Sequence, residues 1–387
     1  IVGNQQEAGG LPSYNFNSGV IEGYSKITGQ TMYDTVLKER DTCFACAVRC
    51  KRVVEIKEGP FIVDPLYGGP EYETVATTGS YCGVTDLAAI CKANELCNKY
   101  GLDTISCGAI VAWAMECYEN GLITKEDTGG IDLRFGNGAA MVQVIEQIGK
   151  REGFGKLLGE GSARAAAKIG RGTEKYLMTC KSQEYPAHMP RVKRTLALIY
   201  SVNPFGADHM SSEHDPGYEE DGYQKYLAQL GLNDPQPARS LNAEKVRFAL
   251  YTQYMLSCVD SLTVCDFVWG PAWQLYSANQ LVDAVRAATG WEVSLYELMK
   301  LGERRLNMMR AFNAREGIDR SYDIPAAKLF QPLKGGASDG WKIDPAELNK
   351  AFETYYAMAG WDAKTGTPTR VKLQELGIEW VADAIGL

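Results

Sequence analysis

The chain has 387 residues, of which 45% are apolar and 23% charged, and its formal net charge at pH 7 is −8. These values are ordinary for a globular protein of two domains, and the acidic balance argues against nucleic acid or an anionic membrane as the main partner. No stretch approaches the roughly 18 uninterrupted apolar residues of a membrane span. The first residues do not form a signal peptide, and without an initiator Met we expect a processed or truncated piece of a longer chain.

The first half of the chain predicts irregular structure followed by helices. One helix is expected near residues 30–40, one or two short strands over 51–63, and a loop rich in proline and glycine over 64–70. Glu73 follows that loop directly. Further along, capping residues precede apolar helical periods that end at glycines, which predicts helices over 87–100, 104–120, 138–151 and 162–168.

The second half is also predicted to be helical. Two prolines and the lack of a helical period over 181–191 indicate a linker, so we expect domains at 1–180 and 181–387. Periodicity and capping residues predict helices over 194–202, 243–258, 278–289, 295–316 and 345–360, with a loop over 325–340. The expected fold class is mainly α, with two multihelical domains and few short strands.

Three cysteines lie within eight residues, in the spacing Cys43-x2-Cys46-x3-Cys50. Closely spaced cysteines supply most of the thiolates of iron–sulfur clusters, and Cys265 is the best candidate for a fourth ligand. A zinc site with four thiolates is the alternative, although such sites usually pair two C-x2-C segments and only one is present here. The total of eleven cysteines, several in helical apolar patterns, favours buried thiols in a reducing compartment such as the cytoplasm over a disulfide framework.

Two hexapeptides with related sequences come just after predicted helices, at residues 98–103 and 260–265. Backbone groups at a helix end, together with a short carboxylate, could accept hydrogen bonds from the amino-pyrimidine edge of a pterin. The alternative for the first is an ordinary helix that ends at a glycine before the cap of the next helix.

Acid–base candidates are few. Glu73, on a rigid loop in an apolar region, could act as a general base, and Glu71 competes with it for that role. His209 follows a predicted helix and could donate a hydrogen bond or pass a proton next to a metal oxo group. His214 lies in an acidic stretch that we expect to be solvated, and Arg191, Lys193 and Arg194 are expected to form a solvated face.

The ordered set of motifs resembles the tungsten-dependent aldehyde ferredoxin oxidoreductase family. The resemblance rests on the cysteine spacing, Gly69-Pro70-Glu71-Tyr72-Glu73-Thr74, Tyr100-Gly101-Leu102-Asp103 and the segment from Asp260 to Cys265, and it extends through residues 130–133, 151–155 and 181–191. It implies a [4Fe-4S] cluster on Cys43, Cys46, Cys50 and Cys265, and a tungsten or molybdenum bis-pyranopterin. It also implies cofactor contacts at Asn98, Gly101, Leu102, Asp103, Asp260 and Val264, and the catalytic residues Glu73 and His209.

The chain departs from the family pattern in three places. Asn98 replaces an aspartate, and Thr263 stands where glycine is usual, which predicts a different turn there. The family's β-rich N-terminal domain has no counterpart, so either the chain is a fragment or a companion chain supplies that part. What is present resembles the two α-helical C-terminal domains.

The resemblance implies an enzyme that oxidises aldehydes to carboxylic acids and passes electrons through the cluster to ferredoxin or an electron-transfer subunit. Two other functions stay open: reduction of an aryl-CoA ring by a relative with the same cofactors, and a cluster-only electron-transfer subunit. The substrate range, the electron acceptor and the oligomeric state, a homodimer included, also stay open.

Overall fold

The structure of the protein is a computed structural model that describes residues 1–272 and 275–387. The chain divides into two compact units, Ile1–Val192 with Ala326–Lys342 and Lys193–Pro325 with Ile343–Leu387. The prediction of a mainly α fold is confirmed, since the sheets in the described residues are two small antiparallel pairs. The predicted division into domains at 1–180 and 181–387 stays a prediction.

Seventeen α-helices and four short strands lie in the described ranges. The helices of the first unit are Val2–Glu7, Gly29–Thr35, Tyr72–Thr78, Leu87–Tyr100, Thr104–Glu119, Gly138–Lys150, Gly153–Leu158 and Ser162–Ile169. Those of the second unit are Thr195–Val202, Gln224–Leu227, Ala243–Ser261, Asp266–Trp269, Ala278–Thr289, Leu295–Arg315, Pro345–Ala359, Arg370–Glu375 and Glu379–Ala384. The strands are Leu37–Asp41 paired with Lys51–Val54, and Thr179–Cys180 paired with Gln183–Glu184. Among the residues that the structure describes, no helix combines the length and apolar character needed to cross a bilayer.

The helix Leu87–Tyr100 shows why most of the helix predictions agree with the structure. Asp86 precedes it and accepts hydrogen bonds from the backbone N–H groups of Ala88 and Ala89, at 3.0 and 3.3 Å. Gly101 ends it with a φ of 67°, a left-handed conformation that costs glycine little. Local cap chemistry therefore fixes both ends of this helix.

The helix Tyr72–Thr78 was not predicted, and it changes the setting of Glu73. The sequence placed Glu73 on a loop, whereas the structure places it in the first turn of this helix. Five consecutive residues from Thr74 to Thr78 are buried, so the segment has no polar face from which a helical period could be recognised. Gly108 of the helix Thr104–Glu119 allows the close crossing, because a Cβ there would lie about 2.5 Å from the backbone of Thr77.

The predicted helix near residues 30–40 is only partly present. The helix ends at Thr35, and residues 37–41 form a strand that pairs with Lys51–Val54. Pairing across the intervening cysteine loop outweighs the weak helical pattern of these residues. The predicted strand after the cysteines is confirmed by Lys51–Val54.

The second unit packs around the helix Ala243–Ser261, which contacts Leu295–Arg315 and Pro345–Ala359. Its interior contains ion pairs as well as apolar groups. Lys245 Nζ lies 2.7 Å from Asp215 Oδ1, with both side chains fully buried. Such pairs are costly to break, because removal of one partner leaves an isolated buried charge.

Two expectations about solvated charges are wrong. Glu213 and Asp215, which flank His214, are 3% and 0% exposed, so this acidic stretch belongs to the interior of the second unit. Arg191 and Lys193 are also buried, at 1% and 5% exposure. The Arg191 guanidinium donates to the carbonyl oxygens of Lys328 and Gln331, which compensates for part of its lost hydration.

Candidate functional site

The three clustered cysteines lie on the loop that joins strands Leu37–Asp41 and Lys51–Val54. The backbone N–H of Cys46 donates to the carbonyl of Cys43 at 3.1 Å, and Ala45 and Arg49 adopt φ values of 55° and 50°. These turns curl the loop, and none of its three cysteines is fully buried. Cys43 is exposed, and Cys46 and Cys50 are half-buried.

The other cysteines of the first unit are chemically unlike this trio. Cys82, Cys91, Cys97, Cys107, Cys117 and Cys180 are all buried, which confirms the expectation of buried thiols. Burial, helped by the negative charge of Asp86, raises the pKa of Cys91 to about 12, so this thiol stays protonated at neutral pH. Metal ligation requires thiolates, and the loop cysteines are accessible to a metal centre.

Cys265 belongs to the second unit, where it is exposed and precedes the short helix Asp266–Trp269. Its assignment as the fourth ligand stays a prediction. In the same unit, burial raises the pKa of Cys258 to about 12, so the thiol nearest to Cys265 in sequence is poorly suited to ligation.

The two hexapeptides have the same backbone geometry. Gly101 and Thr263 both end a helix in the left-handed region, with φ values of 67° and 55°. The residue after each one donates to a carbonyl five residues back: Leu102 to Cys97 at 2.8 Å, and Val264 to Val259 at 3.3 Å. The different turn expected from threonine in place of glycine is therefore not found.

The last residue of each hexapeptide also has an equivalent place. Asp103 and Cys265 are both extended residues that precede a new helix, with ψ values of 122° and 129°. Asp103 is exposed and caps Thr104–Glu119 by accepting from the N–H groups of Ile105 and Ser106. The ordinary helix cap that the sequence left open as an alternative is thus present, together with an exposed carboxylate that keeps further acceptor positions.

The first residue of each hexapeptide lies in the last turn of its helix, and for Asp260 this differs from the predicted helix end at residue 258. Asn98 Nδ2 donates to the carbonyl of Tyr67 at 2.9 Å, which leaves its Oδ1 as an acceptor. Asp260 Oδ2 lies 3.0 Å from Arg305 Nη1. Partial burial raises the pKa of Asp260, an effect that Arg305 opposes.

The carboxylate of Glu73 is held at both oxygens. Its Oε2 accepts from the backbone N–H of Ala187 at 2.7 Å, and its Oε1 lies 3.1 Å from Nε2 of His188. The side chains of Glu73 and His188 are 14% and 8% exposed. The carboxylate therefore has a hydrogen bond at Oε2 and a close contact with the imidazole at Oε1.

His188 is the residue that sequence reasoning missed. It lies within residues 181–191, which the sequence predicted to be a linker because of two prolines and the lack of a helical period. Nothing in that pattern indicated a contact between His188 and Glu73. Tyr72 supports the arrangement, because its hydroxyl donates to the carbonyl of Ala187 at 2.7 Å and its ring lies 5.6 Å from that of His188. Burial, followed by the negative charge of Glu73, raises the pKa of Tyr72 well above its usual value.

Glu71 has a different environment from Glu73. Its Oε2 lies 2.6 Å from Arg52 Nη1, and its side chain is 52% exposed. An exposed carboxylate in an ion pair is less suited to proton transfer in a water-poor site than one that is enclosed. The geometry favours Glu73 of the two.

His209 lies in a loop after Thr195–Val202, where the sequence predicted it. Its carbonyl oxygen accepts a hydrogen bond from Nε2 of His214 at 2.8 Å, and Lys193 Nζ lies 3.4 Å from Nδ1 of His214. Asp208 holds the same loop by accepting from the backbone N–H of Met210 and the hydroxyl of Ser211. His214, which sequence reasoning had set aside, is therefore a support for the loop that carries His209.

Comparison with known proteins gives a consistent result. The family described as "Aldehyde ferredoxin oxidoreductase, domains 2 & 3" matches residues 1–378 of the chain. A tungsten-containing aldehyde ferredoxin oxidoreductase of Pyrococcus abyssi is 35% identical over 96% of the chain. An aliphatic sulfonate oxidoreductase, WOR-like subunit, of Pyrococcus furiosus is 28% identical over 89% of the chain.

A solved structure shows the same fold. It is the active site complex BamBC of benzoyl coenzyme A reductase in complex with 1,5-dienoyl-CoA. The match covers 99% of this chain and 60% of the solved chain, with a TM-score of 0.76 at 19% sequence identity. The present chain spans 58% of the Pyrococcus abyssi relative and 51% of the WOR-like subunit. By the extent of the family match and the identity to curated relatives, the chain belongs to the aldehyde ferredoxin oxidoreductase family, within the part described as domains 2 and 3.

Proposed function

We propose that the chain forms part of a cytoplasmic oxidoreductase that converts aldehydes to carboxylic acids. It would carry a [4Fe-4S] cluster and share a tungsten bis-pyranopterin with a further domain or companion chain. The observation that carries the proposal is the matching geometry of the two helix-end hexapeptides, in a chain 35% identical to tungsten-containing relatives. Two equivalent backbone sites fit a cofactor built from two equivalent pterins.

The side chains available in both units fit the [4Fe-4S] cluster and the two pterins. Cys43, Cys46 and Cys50 are accessible thiols on one curled loop, and the resemblance adds Cys265. For the pterins, Asn98 and Asp103 offer acceptor oxygens in the first unit, and Asp260 offers them in the second. When bound, the tungsten centre would polarise the carbonyl and accept two electrons, which the cluster passes on singly.

Glu73 is the proposed general base. Aldehyde oxidation requires a proton to leave the water that attacks the carbonyl carbon, and each Glu73 oxygen keeps a lone pair after its contact with Ala187 or His188. These two contacts hold the carboxylate in one orientation before substrate binds, which lowers the entropic cost of the proton transfer. His188 is the proposed positioning residue.

His209 is proposed to hydrogen-bond the substrate oxygen, as the family resemblance implies. The donation by His214 to the His209 carbonyl and the hydrogen bonds to Asp208 restrain its loop. Because Glu73 and His209 belong to different units, their joint action on one substrate stays a prediction.

The proposal is tested by co-expression of the chain with the polypeptide that completes the family architecture, followed by purification without oxygen. Iron, sulfide, tungsten and molybdenum are measured, and aldehyde oxidation is compared with aryl-CoA reduction using one viologen dye. We expect iron and tungsten together with aldehyde oxidation. Iron and sulfide without tungsten or molybdenum would instead indicate a cluster-only electron-transfer subunit, and a preference for aryl-CoA would assign the chain to the ring-reducing relatives.

A further inference from the structure

A cleft of about 770 Å³ opens in the first unit, and none of its lining residues belongs to the proposed cluster, pterin or catalytic sets. This volume lies within the range of roughly 300–1,000 Å³ that is typical of small-molecule sites. Glu116 and Glu119 line the cleft at the C-terminal end of the helix Thr104–Glu119. The pterin candidate Asp103 precedes the other end of this 16-residue helix, about 24 Å away along its axis. The cleft is therefore a separate site.

A network of buried polar groups lies at the floor of the cleft. Lys328, which is 2% exposed, donates from Nζ to Glu116 Oε2 at 2.5 Å and to the carbonyl of Asn15 at 2.7 Å. The side-chain amides of Asn15 and Asn17 donate to the same carboxylate at 2.6 and 2.9 Å. Three donors thus converge on Glu116, whereas these bonds use only two of the three N–H groups of Lys328.

Arg191 is a second buried cation behind this floor. It is 1% exposed, and its hydrogen bonds within the described residues go to the backbone carbonyls of Lys328, Gln331 and Phe16. Burial lowers the pKa of Lys328 to about 8, and the charge of Arg191 adds to this effect against the opposing influence of Glu116. Two buried cations therefore face one buried carboxylate, which leaves positive charge without a counter-ion.

The rim of the cleft adds further positive charge. Lys175 and Lys334 line it, are exposed, and form no ion pair with a described residue. The acid among the lining residues at the rim, Glu119, accepts a hydrogen bond from the backbone N–H of Phe135 at 3.1 Å. Glu22 lies outside the lining and is exposed, so solvent and salt weaken its opposing field. With the buried groups included, four cations stand against two carboxylates in a chain whose net charge is −8, and such a cleft attracts anions.

Aromatic rings form part of the walls. Tyr14 and Phe135 pack edge to face with ring centroids 5.6 Å apart, and Lys175 Nζ lies 4.7 Å from the centroid of the Tyr176 ring. All three rings line the cleft and are half-buried, so each one keeps part of its surface accessible. Planar ligands stack on such rings, and a lysine beside the ring can reach an anionic group that the ligand carries.

We propose that this cleft binds a small aromatic phosphate, of which a nucleoside monophosphate is the common biological form. The phosphate is held by Lys175 and Lys334, and the planar base stacks against the rings of Tyr14 and Tyr176. A phosphate monoester carries a charge of about −1.5 to −2 at pH 7, so it matches the two cations in excess, whereas a carboxylate would match one.

The probe is AMP, titrated by calorimetry at low ionic strength into the protein purified together with its companion polypeptide. The measurement requires neither tungsten nor turnover, so its result does not depend on the proposed function. We expect adenosine and inorganic phosphate each to bind at least about tenfold more weakly than AMP, because each lacks one half of the recognised ligand. Inorganic phosphate that binds as tightly as AMP would indicate an adventitious ion only and would overturn the proposal.

Two double variants locate the binding site. Lys175→Gln combined with Lys334→Gln should raise the dissociation constant of AMP at least about tenfold, because both charge-assisted hydrogen bonds to the phosphate are lost. Lys156→Gln combined with Lys168→Gln is the matched control, since it removes the same charge from exposed lysines of the first unit that do not line the cleft. The control should bind AMP as the parent protein does.

All four substitutions change exposed side chains, so the thermal unfolding midpoint of each double variant should stay close to that of the parent. Equal weakening of AMP binding in both double variants would mean that AMP responds only to the overall charge of the chain. No binding by the parent protein would mean that the buried charges only fasten Lys328 to the first unit. Either result would overturn the proposal.

Discussion

The Oε1 atom of Glu73 lies 3.1 Å from the Nε2 atom of His188, and the backbone N–H next to that histidine donates to the other Glu73 oxygen. Two adjacent residues, Ala187 and His188, therefore orient both arms of one carboxylate. Both side chains are mostly buried, with 14% of Glu73 and 8% of His188 exposed, so little water competes with these contacts.

The first prediction concerns this pair in the completed enzyme. Glu73→Gln should lower kcat for aldehyde oxidation by about 10²-fold or more while tungsten content stays constant, because a general base is lost. Glu71→Gln, on the same segment but paired with Arg52, is the control and should lower kcat by less than threefold. If the large loss falls on Glu71→Gln, the base has been assigned to the wrong residue.

The role of His188 as a positioning residue is a separate prediction. His188→Phe should lower kcat about tenfold with little change in KM, because it removes the imidazole whose Nε2 lies 3.1 Å from the Glu73 carboxylate and helps to orient it. His188→Gln retains a donor of similar reach and should recover part of that loss. Equal activities for the Phe and Gln variants would show that the ring packs against Tyr72 without orienting Glu73.

The cysteine assignments predict a clear difference in iron content. Cys46→Ala and Cys265→Ala should each lower bound iron and sulfide by more than half, since each removes one cluster thiolate. Cys91→Ala is the control, because this buried thiol with a pKa of about 12 is not expected to ligate. Iron content is measured by plasma emission spectrometry after purification without oxygen. Full retention of iron in Cys265→Ala would remove that residue from the ligand set.

The equivalent helix ends at Gly101 and Thr263 predict that substitutions at these two positions change the free energy of unfolding in opposite directions. Thr263→Gly should stabilise the chain by about 1 kcal/mol, because threonine at a φ of 55° is strained and glycine is not. Gly101→Ala should destabilise it by a similar amount, although the added Cβ would find open space. Urea unfolding followed by circular dichroism measures both changes. Destabilisation by Thr263→Gly would mean that the threonine side chain contributes more than its backbone strain costs.

A pH effect is predicted at Asp127. Its Oδ2 lies 2.7 Å from Arg171 Nη1 and also accepts from the backbone N–H of Thr124 at 2.8 Å. The side chain of Arg171, followed by this backbone bond, lowers the pKa of Asp127 below its ordinary 3.8. The stabilisation is therefore present above pH 3.8 and is lost as the pH falls through the lower native value.

The matching experiment compares Asp127→Asn with the parent chain by urea unfolding at pH 7 and pH 2.5. At pH 7 the substitution should cost about 1 kcal/mol, as expected for a partly exposed pair with good geometry. The cost should shrink at pH 2.5. Asp221→Asn, which changes an exposed acid, is the control. If the free-energy cost of Asp127→Asn does not vary with pH, the pKa of Asp127 is not lowered in the folded chain.

Local chemistry explains how much of the fold could be predicted. The helices Leu87–Tyr100 and Ala278–Thr289 begin and end where their caps and glycines indicate, because these signals involve only neighbouring residues. The helix Tyr72–Thr78 was missed, since its burial on all sides depends on partners such as Gly108 that are distant in sequence.

The same distinction applies to the candidate site. The cysteine trio and the two hexapeptides are contiguous in sequence, so these motifs could be located from it, although the turn at Thr263 was mispredicted. The contact between Glu73 and His188 joins segments far apart in the chain and has no counterpart in any local pattern. The burial of Glu213 and Asp215 was mispredicted for a related reason, because the buried cation Lys245 that pairs with Asp215 comes from a later helix.

The return of Ala326–Lys342 to the first unit has a consequence for how this protein can be divided. Lys328 from this segment lies 2.5 Å from Glu116, and both side chains are almost completely buried. A polypeptide cut after Val192 would contain the acid without its counter-ion, and an uncompensated charge in an apolar interior favours unfolding or aggregation. The first unit is thus not a detachable module, and recombination between family members should succeed only when both of its separated pieces come from the same parent.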